Sequence, residues 1–383
     1  MSFLLRLLHR NFSSSVQSSS STVTANIKSI SEDLYRERDL KRLVEKFKKA
    51  SELYRFRTRN GIYENTVRRL ATAKRFKWVE EILEDQKKYG DIAKEGFSAR
   101  LITLYGISGM YENAQKTFDE LPHRNCTRTV LSLNSLLAAY LHSKKFDMVD
   151  RLFKELPDML SIEPNLVSYN TVIKAYCEMG SFDSAISMLD EMEKRGINPD
   201  LITFNTLLNG LYRSDRFSDG EKIWSQMDKT NVTPNIRSYN ARLMGLAKVN
   251  KTKEAVELFE KMRNEGVKPD LFSFNALIKG FVNVENLDEA KKWYSEIANT
   301  DYDPNKITFR NLLPFLCENG DLTTAFELCK EIFNIRCLVD ATLLQLVVNS
   351  LVKGSMISEA KAVVQLGETN GYCRYTLNFP ADK

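Results

Sequence analysis

The sequence is poor in the residues that build metal sites and disulfide frameworks. It holds only three histidines and six cysteines in 383 residues, and no two cysteines form a Cys-x-x-Cys pair. Zinc sites draw nitrogen or sulfur ligands from short spacings, and small secreted domains need paired cysteines. We therefore expect no metal and no disulfide bond, with the cysteines as free thiols in a reduced compartment.

Long apolar runs and catalytic motifs are also missing. No stretch of about 18 uncharged apolar residues occurs, so no membrane span is expected. The sequence has no Walker loop, no Gly-x-Ser-x-Gly elbow and no His-x-Glu with Cys-x-x-Cys pair of a zinc deaminase. These absences predict a protein that is not an enzyme, with no cofactor, no small-molecule substrate and no membrane contact.

Acidic residues are absent from residues 1–30, which carry three basic residues and many Ser and Thr. Residues 1–10 can form a short helix with a basic face and a leucine-rich face, a pattern typical of mitochondrial import signals. A secretory signal is the rival interpretation, but its apolar core would be residues 3–8, interrupted by Arg6. We expect residues 1–30 to be a transit peptide, disordered or cleaved, that directs the chain to the mitochondrial matrix.

One phrase recurs five times at a strict period of 35 residues. Each copy has seven positions: Pro, then Asn/Asp, then two variable residues, then Ser/Thr, then Tyr/Phe, and finally Asn, which the last copy replaces with Arg. The copies begin at Pro164, Pro199, Pro234, Pro269 and Pro304. Such a period is the signature of a solenoid of stacked repeats. Carried outward, the frame predicts nine repeats: 60–94, 95–129, 130–165, 166–200, 201–235, 236–270, 271–305, 306–340 and 341–375.

The segments outside this array also have an expected role. Residues 31–59 are predicted to form a basic helical cap at the start of the array, because terminal units of solenoids are commonly atypical. Residues 376–383 are a short C-terminal tail. The repeat 130–165 is one residue longer than the others, and we expect residues 158–161 to absorb the extra residue as a longer loop.

Each clear repeat has the pattern of two helices, which predicts an all-α fold. The Ser or Thr of the phrase is placed to cap the first helix, and Gly180, Asp215, Asn250 and Gly320 mark the turn to the second. Gly196 and Gly266 mark its end. Small residues recur at the twentieth position, where two helices are expected to cross closely: Ala114, Val149, Ala185, Gly220, Ala255, Ala290, Ala325 and Ala360.

The 35-residue period with this phrase resembles the pentatricopeptide repeat (PPR). The resemblance covers residues 60–375 and implies a right-handed α-solenoid superhelix of about nine helix-turn-helix repeats that binds single-stranded RNA, one repeat to one base. In that family the fifth and last residues of a repeat read the base. Carried onto this sequence, the base-reading candidates are Asn134 with Asn165, Asn170 with Asp200, Asn205 with Asn235, Asn240 with Asp270, and Asn275 with Asn305.

The resemblance implies a short pyrimidine run as the preferred RNA, since the family's Asn/Asp pair favours uridine and its Asn/Asn pair favours cytidine or uridine. The outer repeats depart from this pattern with Ala99 and Thr129, Arg310 and Asp340, and Gln345 and Tyr375. Only about five bases are therefore readable. An Asn in the first turn of a helix can instead serve local hydrogen bonding, so a structural role for these residues stays open.

A concentration of positive charge lies before and at the start of the array. Residues 41–77 carry 13 Lys and Arg against 3 Asp and Glu, an excess larger than the net charge of +5 of the whole chain. A solvated helical face is the usual explanation of such a run, but phosphate contact explains the excess better. The phosphate-binding candidates are Lys41, Arg42, Lys46, Lys48, Lys49, Arg55, Arg57, Arg59, Arg68, Arg69, Lys74, Arg75 and Lys77.

Two functions are compatible with these features. The presequence, the basic entry at 41–50, 66–71 and 78–83, and the segment 327–333 resemble the short, pure-repeat PPR components of the plant mitochondrial ribosome small subunit. This resemblance implies a non-catalytic scaffold in mitochondrial translation, with ribosomal RNA and mitochondrial ribosomal proteins as partners. The alternative is a free, sequence-specific RNA-binding factor that stabilises, processes or promotes translation of an organellar transcript.

Overall fold

The computed structural model describes the backbone of residues 17–379 and the side chains of residues 27–379. Over that range the chain is helical, with no β-strand, which confirms the predicted all-α fold. It divides into two compact units, Met1–Ile197 and Asn198–Lys383. The predicted transit peptide lies outside the described residues over its first 16 positions.

The N-terminal unit contains eleven of the described α-helices: α1 (Gln17–Arg36), α2 (Leu40–Ala50), α3 (Tyr54–Arg57), α4 (Asn60–Thr72), α5 (Phe76–Gln86), α6 (Glu95–Ile107), α7 (Tyr111–Glu120), α8 (Val130–His142), α9 (Phe146–Leu160), α10 (Leu166–Met179) and α11 (Phe182–Lys194). The C-terminal unit contains ten: α12 (Leu201–Arg213), α13 (Phe217–Lys229), α14 (Ile236–Lys248), α15 (Thr252–Asn264), α16 (Leu271–Asn283), α17 (Leu287–Ile297), α18 (Lys306–Glu318), α19 (Leu322–Asn334), α20 (Ala341–Lys353) and α21 (Ile357–Thr369).

Within each unit the helices form a stack of pairs. A first helix, such as α6 or α14, packs against the second helix of its own repeat and against the first helix of the next repeat. The small residues at the twentieth position are buried in every described repeat that carries one, as the close crossing requires. At α6 and α8 the approach is so close that a Cβ on Gly106 would lie 2.3 Å from the Cα of Ala139.

Aromatic rings join consecutive repeats. The Tyr or Phe of the recurring phrase is buried in all five copies. In three copies its ring meets an aromatic ring from the second helix of the preceding repeat. Tyr239 meets Trp224 edge-on at 5.5 Å between ring centroids, and Phe274 meets Phe259 at 5.2 Å. Such pairs add about 0.5–1.5 kcal/mol beyond the burial of their apolar area. The phrase therefore fixes how one repeat stacks on the next.

The predicted cap of the first helix is wrong by three positions. The N-cap is the Asn or Asp that follows the proline, and the Ser or Thr lies at the third helical position, where its hydroxyl accepts from the backbone N–H of the N-cap residue. The short side chain of Asn or Asp accepts a hydrogen bond from a free amide of the first turn. The hydroxyl of the third residue accepts one from the N-cap amide, which completes a capping box. The capping boxes use Asn165, Asp200, Asn235, Asp270 and Asn305.

The predicted turn residues are confirmed. Gly180, Asp215, Asn250 and Gly320 have φ between 59° and 74°, and Gly196 and Gly266 end second helices with φ of 67° and 77°. The extra residue in repeat 130–165 is not in a loop as expected: α9 continues through Pro157 to Leu160, and its C-cap Ser161 has a φ of 51°. Helix α1 begins at Gln17, before the predicted boundary at residue 30, and buries Ile27 and Leu34.

The described part of the chain offers neither a membrane-spanning helix nor a cluster of metal ligands. None of its helices is long and apolar enough to span a membrane. Within the same residues no group of three His, Cys, Asp or Glu side chains is placed to hold a metal ion. All six cysteines are free thiols. Burial raises the pKa of the Cys329 thiol to about 12, which keeps it protonated and unreactive.

Candidate RNA-binding surfaces

The N-termini of the first helices lie side by side in each unit, and we call the surface they form the cap edge. In the N-terminal unit the Glu95 carboxylate of α6 accepts hydrogen bonds from the backbone N–H of Thr129 and of Ser132 at the start of α8, at 2.7 and 3.1 Å. In the C-terminal unit Asn240 of α14 contacts Asp270 at the start of α16. Successive first helices therefore present their free amide ends on one side.

Four of the five predicted base-reading pairs are in direct side-chain contact on the cap edge. The Nδ2 of the fifth residue donates to the side-chain oxygen of the last residue of the same repeat. The distances are 3.0 Å for Asn134 to Asn165, 3.2 Å for Asn205 to Asn235, 3.0 Å for Asn240 to Asp270 and 3.4 Å for Asn275 to Asn305. Of the fifth pair, Asn170 lies in the N-terminal unit and Asp200 in the C-terminal unit.

These asparagines also bind the capping box of the next repeat. The hydroxyls of Ser168, Ser238 and Ser273 each donate to the Oδ1 of Asn134, Asn205 and Asn240, in that order, at 2.6 Å in every case. A carboxamide offers two donor hydrogens and two acceptor lone pairs, so each of these asparagines keeps one donor and one acceptor position for another partner. The structural and the base-reading interpretations are thus compatible at the same side chain.

Asn275 differs from the other fifth residues. The hydroxyl of Thr308 in the next repeat donates instead to Asn305, and the Oδ1 of Asn275 is buried with no hydrogen-bond partner among the described residues. The β-methyl of Thr restricts the hydroxyl to fewer rotamers than Ser allows. Asn275 is therefore held less firmly than Asn240, although both side chains are mostly buried.

A second set of residues on the cap edge was missed in the sequence. The second residue of most clear repeats is a large apolar side chain that stands in solvent beside the N-cap: Leu131 (47% exposed), Val167 (55%), Ile202 (63%), Phe272 (45%) and Ile307 (42%). The signal that reveals them is their recurrence at a position outside the buried helical face. Exposed apolar side chains next to a polar pair can pack against the faces of unstacked bases.

The outer repeats lack the Asn/Asn or Asn/Asp polar pair at the fifth and last positions, as their sequence indicated. Ala99 is buried, and Asp340 pairs with Lys306 at 2.7 Å. Gln345 exchanges two hydrogen bonds of 2.8 Å with the backbone of Asn378, so the chain after α21 covers its polar atoms. Tyr375 packs against Phe333. These side chains are committed to the fold of the array.

Several of the predicted phosphate-binding cations are engaged within the protein, among them Lys46, Lys48, Arg57, Arg68 and Arg69. Arg57 is the most deeply engaged, with Nε 2.6 Å from Asp91, a 2.7 Å bond to the Ser51 carbonyl and its guanidinium 4.1 Å from the centre of the Tyr89 ring. Arg69 donates to the backbone carbonyls of Leu34 and Glu37. Both arginines hold the capping helices together.

The remaining cations of the basic segment are exposed: Lys41, Arg42, Lys49, Arg55, Arg59, Lys74, Arg75 and Lys77. They fall into groups that the fold keeps apart. Lys41, Arg42 and Lys49 lie on the solvent face of α2, whose opposite face buries Leu43 and Phe47. Exposed, flexible cations of this kind are suited to phosphate contact, which gives affinity without reading sequence.

Comparison with known proteins adds the following. A sequence profile of the PPR repeat family matches residues 164–213, 199–248 and 234–283, and a profile of the PPR repeat matches 100–126, 131–159 and 272–299. The small ribosomal subunit protein mS78 (rPPR3a) of Arabidopsis thaliana is 57% identical over 194 residues, which are 49% of this chain and 49% of that protein. The small ribosomal subunit protein mS79 (rPPR3b) of the same plant is 54% identical over 189 residues, 49% of this chain and 48% of that protein.

The chain thus spans about half the length of the curated relatives it matches. Among solved structures, the pentatricopeptide repeat protein PPR10 from maize matches 93% of this chain and 49% of its own with a TM-score of 0.56 and 21% sequence identity. At that identity the similarity concerns the fold, and it agrees with the stacked helix pairs described above.

Proposed function

The chain belongs to the pentatricopeptide repeat family, and from that premise we propose that it is a non-catalytic RNA-binding scaffold of the small subunit of the mitochondrial ribosome. Its partners in this proposal are ribosomal RNA and neighbouring mitochondrial ribosomal proteins, in the mitochondrial matrix. The single observation that carries the proposal is the identity of 57% and 54% to two proteins whose names place them in a small ribosomal subunit.

The geometry supports a scaffold in two ways. Asparagines of the cap edge accept hydrogen bonds from the serines of the next repeat's capping box. The repeated phrase therefore stabilises the stack whether or not RNA is bound. The exposed cations of α2 offer phosphate contacts that are independent of base identity. A ribosomal protein needs such contacts, since its RNA partner is already positioned by the assembled particle.

Fractionation of mitochondria tests the proposal. The tagged 383-residue chain is expressed in plant mitochondria, messenger RNA is digested with a limited amount of RNase, and ribosomal particles are separated on a gradient. The proposal expects the chain to sediment with the small subunit after digestion. Release of the chain to the top of the gradient together with messenger fragments would contradict it.

A second candidate function rests on a specific observation of the cap edge. Four asparagine pairs lie beside exposed apolar side chains, an arrangement that can hold and read a short single strand of RNA. The chain would then be a free factor that stabilises, processes or promotes translation of a transcript with a pyrimidine-rich site. Selection from a random RNA pool distinguishes the two: enrichment of one pyrimidine run favours the free factor, and no enrichment favours the scaffold.

A further inference from the structure

A second strongly charged surface lies at the opposite end of the first helices from the cap edge. The turn between α4 and α5 forms a cleft lined by Lys74, Arg75, Phe76, Lys77 and Trp78, with three cations, two aromatic rings and no acidic group. We call these five residues the α4–α5 turn cluster. Phe76 is 44% exposed, and the Arg75 guanidinium lies 5.4 Å from the centre of the Trp78 ring.

Among the described residues the cations of the cluster have no acidic partner, and acids of the adjoining helix have other partners. On α5, Glu80 accepts from Asn113 at 2.9 Å, Glu81 pairs with Lys48 at 2.9 Å, and Asp85 pairs with Lys88 at 2.8 Å. Neither Lys74 nor Lys77 forms an ion pair with another described residue. The positive charge of the cluster is therefore left for a partner outside the chain.

The cluster is separated from the cap edge by the length of a helix. Helix α4 has 13 residues, which corresponds to about 20 Å at 1.5 Å per residue. Lys74 has φ of 56°, like Lys144 at 57° in the corresponding turn two repeats later, so the cluster belongs to the edge formed by these turns. The cluster and the cap edge of α6 and α8 are therefore separate surfaces.

Corresponding turns in the C-terminal unit carry acidic residues. Asp215, Asp219, Glu285, Asp288 and Asp321 lie in or next to those turns. Lys248 pairs with Asp215 there, and Lys251 pairs with Glu254. An uncompensated group of three cations with two aromatic rings is thus a feature of the first repeat and not of the turn itself.

We propose that the α4–α5 turn cluster is a second RNA contact, which holds the phosphate backbone of a structured RNA segment and stacks one unpaired base on Phe76. Cations give salt-dependent affinity for phosphates, and an exposed ring gives a platform for a base that has left its helix. No side chain caps the N-terminus of α5, so its first amides also face the anion. The inference rests on the proposed RNA-binding function and adds that the protein joins two RNA segments.

The test uses the triple variant K74E/R75E/K77E of the full-length chain. Acids occupy all three equivalent positions elsewhere in this chain, at Glu285, Asp321 and Asp288, so the substitutions fit the turn. The matched control is K248E/K251E/K253E, which makes the same charge change around the turn between α14 and α15. Phe76→Ala tests the base platform without changing charge.

Fluorescence anisotropy measures two labelled probes, a pyrimidine single strand and a hairpin RNA with one bulged adenosine. The hairpin is expected to lose about tenfold or more in affinity with the triple variant, and the slope of log affinity against log salt is expected to fall by about 2–3 for three lost phosphate contacts. The single strand stays within about twofold. Phe76→Ala weakens the bulged hairpin and leaves its salt slope and an unbulged hairpin unchanged. The control variant keeps hairpin affinity.

Each other outcome is decisive. Equal loss of both probes in the triple variant, or displacement of the bound hairpin by excess single strand, means one shared site and overturns the inference while RNA binding stands. Unchanged hairpin affinity in the triple variant, or hairpin binding absent in the unsubstituted chain while the single strand binds, does the same. Failure of the unsubstituted chain to bind either probe overturns the proposed function as well.

Discussion

The Ser273 hydroxyl donates a 2.6 Å hydrogen bond to the Oδ1 of Asn240, whose Nδ2 donates in turn to Asp270 at 3.0 Å. Ser273 is completely buried, so the bond is out of reach of water. One asparagine therefore connects two repeats and remains the residue proposed to read a base. Because Asn240 has both roles, most substitutions of it change the stability of the array and its RNA specificity together.

Asn240→Ala is expected to lower the free energy of unfolding by about 1–3 kcal/mol, because it removes the buried hydrogen bond from Ser273 and the hydrogen bond to Asp270. Asn275→Ala is the matched comparison, since Asn275 has a buried Oδ1 with no partner and a longer 3.4 Å bond to Asn305. It should cost clearly less than Asn240→Ala. Urea denaturation followed by circular dichroism measures both, and an equal or reversed order would contradict the argument.

Two substitutions at Asp270 distinguish its role as a helix cap from its proposed role in base reading. Asp270→Ala removes the acceptor for the backbone N–H of Ser273 and should cost about 0.5–2 kcal/mol. Asp270→Asn keeps a good N-cap, as Asn235 and Asn305 do in neighbouring repeats, and should change the unfolding midpoint little. If the pair reads a base, Asp270→Asn alters the preferred RNA without loss of stability. A large destabilisation by Asp270→Asn would contradict the expectation that Asn caps this helix as well as Asp does.

Gly106 and Gly96 lie in the same helix, α6, and allow a controlled comparison of two Gly→Ala substitutions. A Cβ at Gly106 would lie 2.3 Å from the Ala139 Cα and force α6 away from α8, whereas a Cβ at Gly96 would meet nothing within 4 Å. Gly106→Ala should destabilise the N-terminal unit by about 1–3 kcal/mol or more. Gly96→Ala should be neutral or stabilising by up to about 1 kcal/mol. Thermal unfolding of the two variants measures the difference, and a neutral Gly106→Ala would refute the close crossing.

Glu221 gives the C-terminal unit a predicted acid sensitivity. Burial alone would raise the pKa of Glu221, but its hydrogen bonds with Arg242 at 2.7 and 2.9 Å and with the Tyr212 hydroxyl at 2.6 Å outweigh burial and hold the pKa below its ordinary value of 4.5. The carboxylate is thus favoured in the folded state. Its stabilisation is complete above pH 4.5 and is lost as the pH falls through the lowered value.

Glu221→Gln measures this contribution. At pH 7 the variant should be less stable than the unsubstituted chain by about 1–3 kcal/mol, as expected for hydrogen bonds to a charged group. The difference in unfolding free energy should shrink as the pH falls below 4.5, because the Glu221 carboxyl then becomes neutral, like the Gln side chain. Urea denaturation at a series of pH values provides the data. A difference that stays constant across that range would contradict the assignment.

The sequence predicted the periodic features of this fold well, because they repeat. The small twentieth residues and the turn residues from Gly180 to Gly320 were identifiable, since one physical requirement recurs in many copies. Features that depend on a single three-dimensional contact were not identifiable from the sequence. The N-cap was placed at Ser and Thr instead of Asn and Asp, because both residue types suit a cap and only the backbone geometry tells which one lies outside the helix.

The charges show the same limit. All thirteen cations between Lys41 and Lys77 were candidates for phosphate contact, yet Arg57 and Arg69 bind groups of their own chain. Three of their partners, Asp91 and the carbonyls of Leu34 and Glu37, are 32 or more residues away in sequence. Local charge density cannot reveal such partners. Reversing the charge of Arg69 would therefore disturb folding and RNA binding together.

Ribosomal association of two surface variants tests the central proposal most directly. One variant, K41E/R42E/K49E, reverses exposed cations of α2, and the other, V167S/I202S/I307S, removes exposed apolar side chains of the cap edge; neither set is buried. The measured quantity is the fraction of tagged chain that sediments with the small subunit after RNase digestion. A scaffold held by phosphate contacts predicts about a tenfold loss in the first variant and little change in the second. Retention of the first variant and release of the second would contradict it.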